Sequence, residues 1–462
     1  MSSATRILIG AEETGMLGMK QTPETAAKLS ALLQQDMEKH NVFYHPRGYH
    51  NHIVHHILAL YSTGASAEVL QRAYDDNQTY QIERKEQGDD AVQALRDNFD
   101  EAAEKFFDKD QYYGDFLRFY QGEIEKLGWR EAVLKYLLGK EGNFRRLFDS
   151  KSPFPSRICL FFFFLPFLMY GLEWAQPALV ALGLAQTSVH KDTYGALFAL
   201  VDDKARQAAL PATPRHLADL YDSMRTEHPH LVAASRWEDG DNSHAGVLQR
   251  IPDQIAAYLA ANVAVHPGRF DEQVDAVVHA AAYLTAACIF HPPHKPKFDF
   301  FIIHYNNLGP ALLHLKTQHW IPPAAKARLL EWKMRTGILT YLSRGSPRLD
   351  LDALRRYVPL DIRTGRADAM VATPEELLPR LHAVRDDGHA IKVARAFLLA
   401  QRATRPYLEE GRARPGWVRI ADDETWLRAH YALLDSVEGQ DVEHRWVRSA
   451  GFDAAWDHLA KE

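Results

Sequence analysis

Along most of the chain, apolar residues return every three or four positions, and the stretches with this spacing are separated by Pro- and Gly-containing turns. That period predicts helices with one buried stripe. Thr22-Pro23-Glu24 opens the first, which runs to about Lys39, with Thr22 as N-cap and Pro23 at the first helical position. Asn51 to Ser62 reads as a second, stopped by Gly64. The stretches 90–107, 129–138, 251–263, 270–290, 323–342 and 351–357 continue the spacing. Thr373-Pro374-Glu375-Glu376 repeats the cap chemistry, with Glu376 placed for a capping box. Near the C-terminus, 422–434 and 442–460 also read as helices. Runs of alternating β-branched residues are nearly absent and no repeat of fixed period is visible. The expected fold is all-α: a large multi-helix bundle with the active site between helices.

One run is more strongly apolar, Ile158 to Tyr170 with Pro166 inside it. A membrane span needs about 20 residues, so this run is expected to be core. No apolar stretch follows basic residues near Met1, so no secretory signal is expected. Lys and Arg number 54 against 60 Asp and Glu, a net charge of −6, which argues against nucleic acid and anionic membrane as partners. Two cysteines, Cys159 and Cys288, exclude a disulfide framework and Cys-rich metal sites, and suit a reducing cytoplasm. The histidines are unusual: there are 23. A metal in this chain would be held by nitrogen and oxygen.

Nucleotide motifs are missing. Gly10, Gly15 and Gly18 lack the G-x-G-x-x-G spacing, and there is no Walker A motif and no G-x-S-x-G elbow. NADPH is therefore expected only as a diffusing reductant.

Three histidine constellations carry candidate chemistry. In His50-Asn51-His52-Ile53-Val54-His55-His56, a helix would place His52, His55 and His56 on one face. Neutral imidazoles so arranged can bind a metal; the same spacing also fits a polar face of hydrogen-bonded histidines. His304 follows the apolar turn 298–303, where a buried histidine needs a partner, either a metal or a backbone carbonyl or the nearby Asn307. His389 and Lys392, in Asp386-Asp387-Gly388-His389-Ala390-Ile391-Lys392, stand one turn apart. A lysine there ligates only after losing its proton or as a carbamate; otherwise it is a solvated residue at a helix start. His382 shares the face of His389 only if the helix is unbroken at Gly388. H-E-x-x-H and paired Glu-x-x-His motifs are absent, so the implied site is rich in histidine and poor in carboxylate.

At these places the chain resembles the questin oxidase-like family. The matching stretches are His50 to Tyr61 with Gly64-Ala65, Phe298 to His304, and Asp387 to Ala396, supported by Met169 to Trp174 and Val189-His190. The resemblance covers roughly Thr22 to Tyr407, so 22–407 is expected to form one all-α domain with 408–462 as a helical extension packed on it. It implies an oxygenase that inserts oxygen into and cleaves the quinone ring of an anthraquinone such as questin or emodin. It also implies a non-haem Fe(II) site of histidines with a carboxylated lysine, carried by position onto His56, His304, His389 and Lys392, with His52 as a weaker candidate. His55 and His382 are the expected proton-handling residues. The partners implied are dioxygen and a small aromatic polyketide; a homodimer is compatible. Two rivals stand beside this reading: a metal-free, NADPH-dependent Baeyer–Villiger-type monooxygenase, and a helical binding protein impaired in catalysis.

One departure matters. Family members usually carry an H-P-L-I-H-like stretch before Tyr170-Gly171-Leu172-Glu173, where this chain has Leu165 to Met169 without histidine. The segment 151–167 reads as foreign, and its Phe, Leu, Ser and Pro content is what a translated piece of unspliced intron would contain.

Overall fold

Local chemistry starts the helices where the spacing predicts them. In the computed structural model the Thr22 side chain accepts from the Thr25 N–H at 3.1 Å and opens the helix Pro23–Lys39. Thr373 and Glu376 form the expected capping box, which leads through Pro374–Leu377 into the short helix Leu378–His382. The structure describes residues 1–45, 48–138, 167–191, 194–207, 215–411 and 413–461. Residues 151–166 of the foreign-looking segment, and Cys159 with them, lie outside this set. The protein is all-α: among the described residues, the strands are the two-residue pair Phe298–Asp299 and Trp446–Val447. Among the same residues no helix is long and apolar enough to cross a membrane.

The chain divides into two compact units, 1–199 with 318–325, and 200–317 with 326–462. In the first, Pro177–Val189 is buried from Ala178 on and mostly apolar, as an enclosed helix should be. It packs on Tyr113–Leu127, where Tyr120 Oη and Ser188 Oγ meet at 2.9 Å. Gly183 faces residues 167–173, themselves helical, so closely that a Cβ there would stand 2.6 Å from the Leu168 nitrogen. Pro23–Lys39, Ile53–Ser62 and Ala67–Gln78 pack together beside this pair.

In the second unit Phe270–Ala287 is the central helix, with Phe300–Asn307, Gly309–Thr317 and His389–Thr404 against it. His279 joins three elements. Its Nδ1–H donates to Thr404 Oγ1 at 2.9 Å, and its Nε2 accepts from the N–H groups of Arg419 at 2.8 Å and Ile420 at 3.2 Å. Asp299 caps Phe300–Asn307 through the N–H groups of Phe301 and Ile302, and its other oxygen accepts from the Ala450 N–H.

Three predicted helices end differently. The stretch 90–107 is two helices, Asp89–Asp97 and Phe99–Phe106, because Asn98 takes an extended conformation and caps the second. The second helix begins at Ile53 rather than Asn51, since the Asn51 side chain accepts from the Ile53 N–H in a local turn. The stretch 442–460 is not one helix: it holds the strand Trp446–Val447, paired in parallel with Phe298–Asp299, between short 3₁₀ turns.

Candidate active site

Asn51 and His52 organise the first histidine group, which lies in the N-terminal unit. Asn51 Nδ2 donates to Asp36 Oδ1 at 2.8 Å while Oδ1 holds the Ile53 N–H, so the chain turns at His52, the residue before the helix. His52 is the cap, with helical backbone angles, and its carbonyl accepts from the His56 N–H at 2.9 Å. Its ring gathers with those of His50 and His55: ring centroids are 4.9 Å apart for His50–His52, 5.7 Å for His50–His55 and 4.9 Å for His52–His55. These three can offer nitrogen ligands to one ion. His50 stands in the sequence cluster but the helical spacing did not single it out. His56 turns to the next helix, where its Nδ1 meets Asn77 Nδ2 at 3.4 Å. The Phe167 ring packs edge-on to His55.

The second group lies in the C-terminal unit, on two helices: His304 in the last turn of Phe300–Asn307 and His389 at the start of His389–Thr404. Gly388 has a φ of +89°, which favours glycine, and ends the preceding turn. Asp386 then accepts from the Gly388 and Ala390 N–H groups at 2.7 and 2.9 Å, opening the helix His389–Thr404. The break at Gly388 removes the shared face considered for His382, which is buried at the end of the separate helix Leu378–His382. Asp387 reaches His389 and accepts a short hydrogen bond from its Nδ1–H. His304 Nδ1–H donates to the Phe300 carbonyl at 2.5 Å. A carbonyl and a carboxylate only accept here, so both rings carry a proton on Nδ1, and each ring in its neutral form presents a lone pair at Nε2. Those two Nε2 atoms face each other at 2.9 Å.

Two lone pairs that close repel unless a cation stands at them. Imidazole nitrogens bound to one metal ion at about 2.1 Å and about 90° to each other lie about 3 Å apart. The donors therefore fit an ion ligated in common by His304 and His389. Asp387 supplies the carboxylate that typically orients a metal-bound histidine, and Asp386, Asp387 and His389 also lie within reach of one ion. The expected carboxylate-poor set is corrected here: two aspartates stand at His389. Their signal in the sequence was adjacency, Asp386-Asp387-Gly388-His389, rather than helical period.

Lys392 lies one turn beyond His389 and is buried. Burial pulls its pKa down to about 8, with Asp387 and Asp386 pulling the other way. Burial pushes the His304 pKa well below its usual range, so its ring is neutral. The Phe300 ring contacts both histidines, with centroids 4.8 Å from His304 and 5.0 Å from His389.

The chain is a helical protein with histidine sites suited to a metal, and comparison with known proteins gives it a family. It belongs to the questin oxidase-like family, which residues 49–397 match. It is 29% identical to a questin oxidase of Aspergillus terreus, covering 99% of this chain and 98% of that one. A questin oxidase of Aspergillus fumigatus is 30% identical over 92% of each chain. A Baeyer–Villiger oxidase, ptaJ of Pestalotiopsis fici, is 27% identical over 99% of each. The protein is an oxidative enzyme of this family.

Proposed function

We propose that the protein is an oxygenase of fungal polyketide secondary metabolism that inserts oxygen beside a carbonyl of an anthraquinone, such as questin or emodin, and cleaves the quinone ring. We propose further that it uses non-haem Fe(II). The observation that carries the metal reading is the pair of Nε2 lone pairs on His304 and His389 facing each other at 2.9 Å. The relatives' names support the oxidation and the substrate class.

His304 and His389 would hold the ion through Nε2, and Lys392, carboxylated on its amine, would add an oxygen donor. Bound iron would supply the activation of dioxygen. The rest falls to the chain itself. The Phe300 carbonyl and Asp387 lock the two rings so that their Nε2 atoms stay aimed at one point. Burial favours the uncharged amine of Lys392, the form that reacts with carbon dioxide. The Phe300 ring gives the planar substrate an aromatic face to lie on. His50, His52 and His55 form an imidazole group of the first unit, in which His55 would hold or move a proton at a phenolic oxygen.

A monooxygenase reaction needs two electrons from outside the substrate, and other relatives are named Baeyer–Villiger monooxygenases. NADPH as a diffusing reductant meets that need. The test is iron content after anaerobic purification, with oxygen uptake on emodin measured with and without NADPH. Iron in the protein, with uptake lost on chelation and regained with Fe(II), is the expected result. No iron, and turnover indifferent to chelation, would remove the metal and leave the NADPH-dependent monooxygenase.

A further inference from the structure

The chain beyond residue 397 lies outside the family match, yet part of it returns to the helix that carries His304. Trp446 and Val447 pair with Phe298 and Asp299, the Ala450 N–H donates to Asp299 at 2.6 Å, and Arg344 donates to Ser449 Oγ at 3.2 Å. Ser449 has a φ of +70°, a conformation a serine keeps only when its surroundings hold it there. The backbone is thus pinned on both sides of Arg448, whose side chain is 50% exposed.

Two aromatic rings and a carboxylate stand around that side chain. Its guanidinium lies 4.3 Å from the centre of the Phe300 ring and 5.4 Å from that of Phe301. Phe300 is the ring that touches both His304 and His389. Asp241 accepts one Arg448 N–H at 3.1 Å. A guanidinium carries five N–H donors in a planar fork, so most of them remain for a ligand. A cation held on an aromatic wall, one ring's width from the histidine pair, matches an aromatic ligand that carries an oxyanion at its edge.

We infer that Arg448 is a specificity-determining residue, which grips an ionised oxygen of the aromatic substrate and so sets which carbonyl faces the histidine pair. The inference rests on the anthraquinone reading above. If Arg448 were only a structural prop for Phe300 and Asp241, its loss would change stability and leave ligand selectivity alone.

The experiment compares the full-length protein with Arg448→Gln and Arg448→Lys, each checked for folding by thermal unfolding. Each is titrated with emodin, whose hydroxyls ionise, and with its permethylated ether, whose oxygens do not, following the quenching of tryptophan fluorescence. Arg448→Gln is expected to weaken emodin binding about tenfold and to leave the ether unchanged. Arg448→Lys is expected to recover part of the emodin affinity, because it keeps the charge without the fork. Equal weakening of both ligands, or unchanged emodin affinity in Arg448→Gln, overturns the assignment. A wild-type protein that binds neither ligand overturns the anthraquinone reading itself, and this assignment with it.

Discussion

His304 and His389 stand 85 positions apart in the chain, yet their Nε2 atoms meet at 2.9 Å. Each ring is held from behind, one by a carbonyl and one by a carboxylate, so neither relieves the contact by changing tautomer. Asp387 is therefore the first residue to test. Asp387→Asn keeps an acceptor for His389 but removes the negative charge. Fe(II) affinity is expected to fall about 10–100-fold, read by metal titration of the apoprotein, with His389→Ala as the reference for loss of a ligand. An unchanged affinity would mean that Asp387 only helps the helix to start.

Asp299 holds three N–H groups at once, those of Phe301, Ile302 and Ala450. The bonds from Ile302 and Ala450 are buried, where water does not replace the lost acceptor. Asp299→Ala is expected to cost about 2–4 kcal/mol, and Asp299→Asn less, since one acceptor oxygen remains. Urea unfolding measures both. The alanine variant should also loosen the segment around Trp446, seen as faster amide exchange there.

His279 makes stability depend on pH. Burial pulls its pKa down to about 3, so the folded protein keeps it neutral where the unfolded chain, with a pKa near 6.5, is already protonated. The unfolded state then binds the extra proton. The contribution is complete above about pH 6.5 and is lost as pH falls from there toward 3, at about 1.4 kcal/mol per pH unit. Between pH 7 and pH 5 the wild type should lose about 2 kcal/mol more stability than His279→Gln. Equal losses would show that His279 does not bear this load.

Gly183 allows two backbones to touch. In Gly183→Ala the new methyl meets the Leu168 backbone nitrogen at 2.6 Å, and backbone cannot rotate aside as a side chain can. The expected cost is about 1–3 kcal/mol, read as a lower urea midpoint with an unchanged slope. A neutral result would mean that residues 167–173 shift at little cost.

Most of the helices were legible in the sequence because their causes are local. A cap such as Thr22, the box of Thr373 with Glu376, and an apolar stripe every three to four residues act over one or two turns. The histidine stretches were legible for the same reason, and Asp387 is marked in the sequence by adjacency to His389 rather than by period.

What the tertiary structure alone decided is where those local pieces meet. The stretch 442–460 has the composition of a helix, but Trp446 pairs with Phe298, and no period within the stretch contains that partner. His52, His55 and His56 share a spacing, but the turn at Asn51 puts His52 with His50 and His55 and leaves His56 to Asn77. The encounter of His304 with His389, and of Arg448 with Phe300, comes from helices packing and a strand pairing between distant parts of the chain. Period and capping report on neighbours in the chain; a site is made of neighbours in space, and these are chosen by which buried faces close on one another.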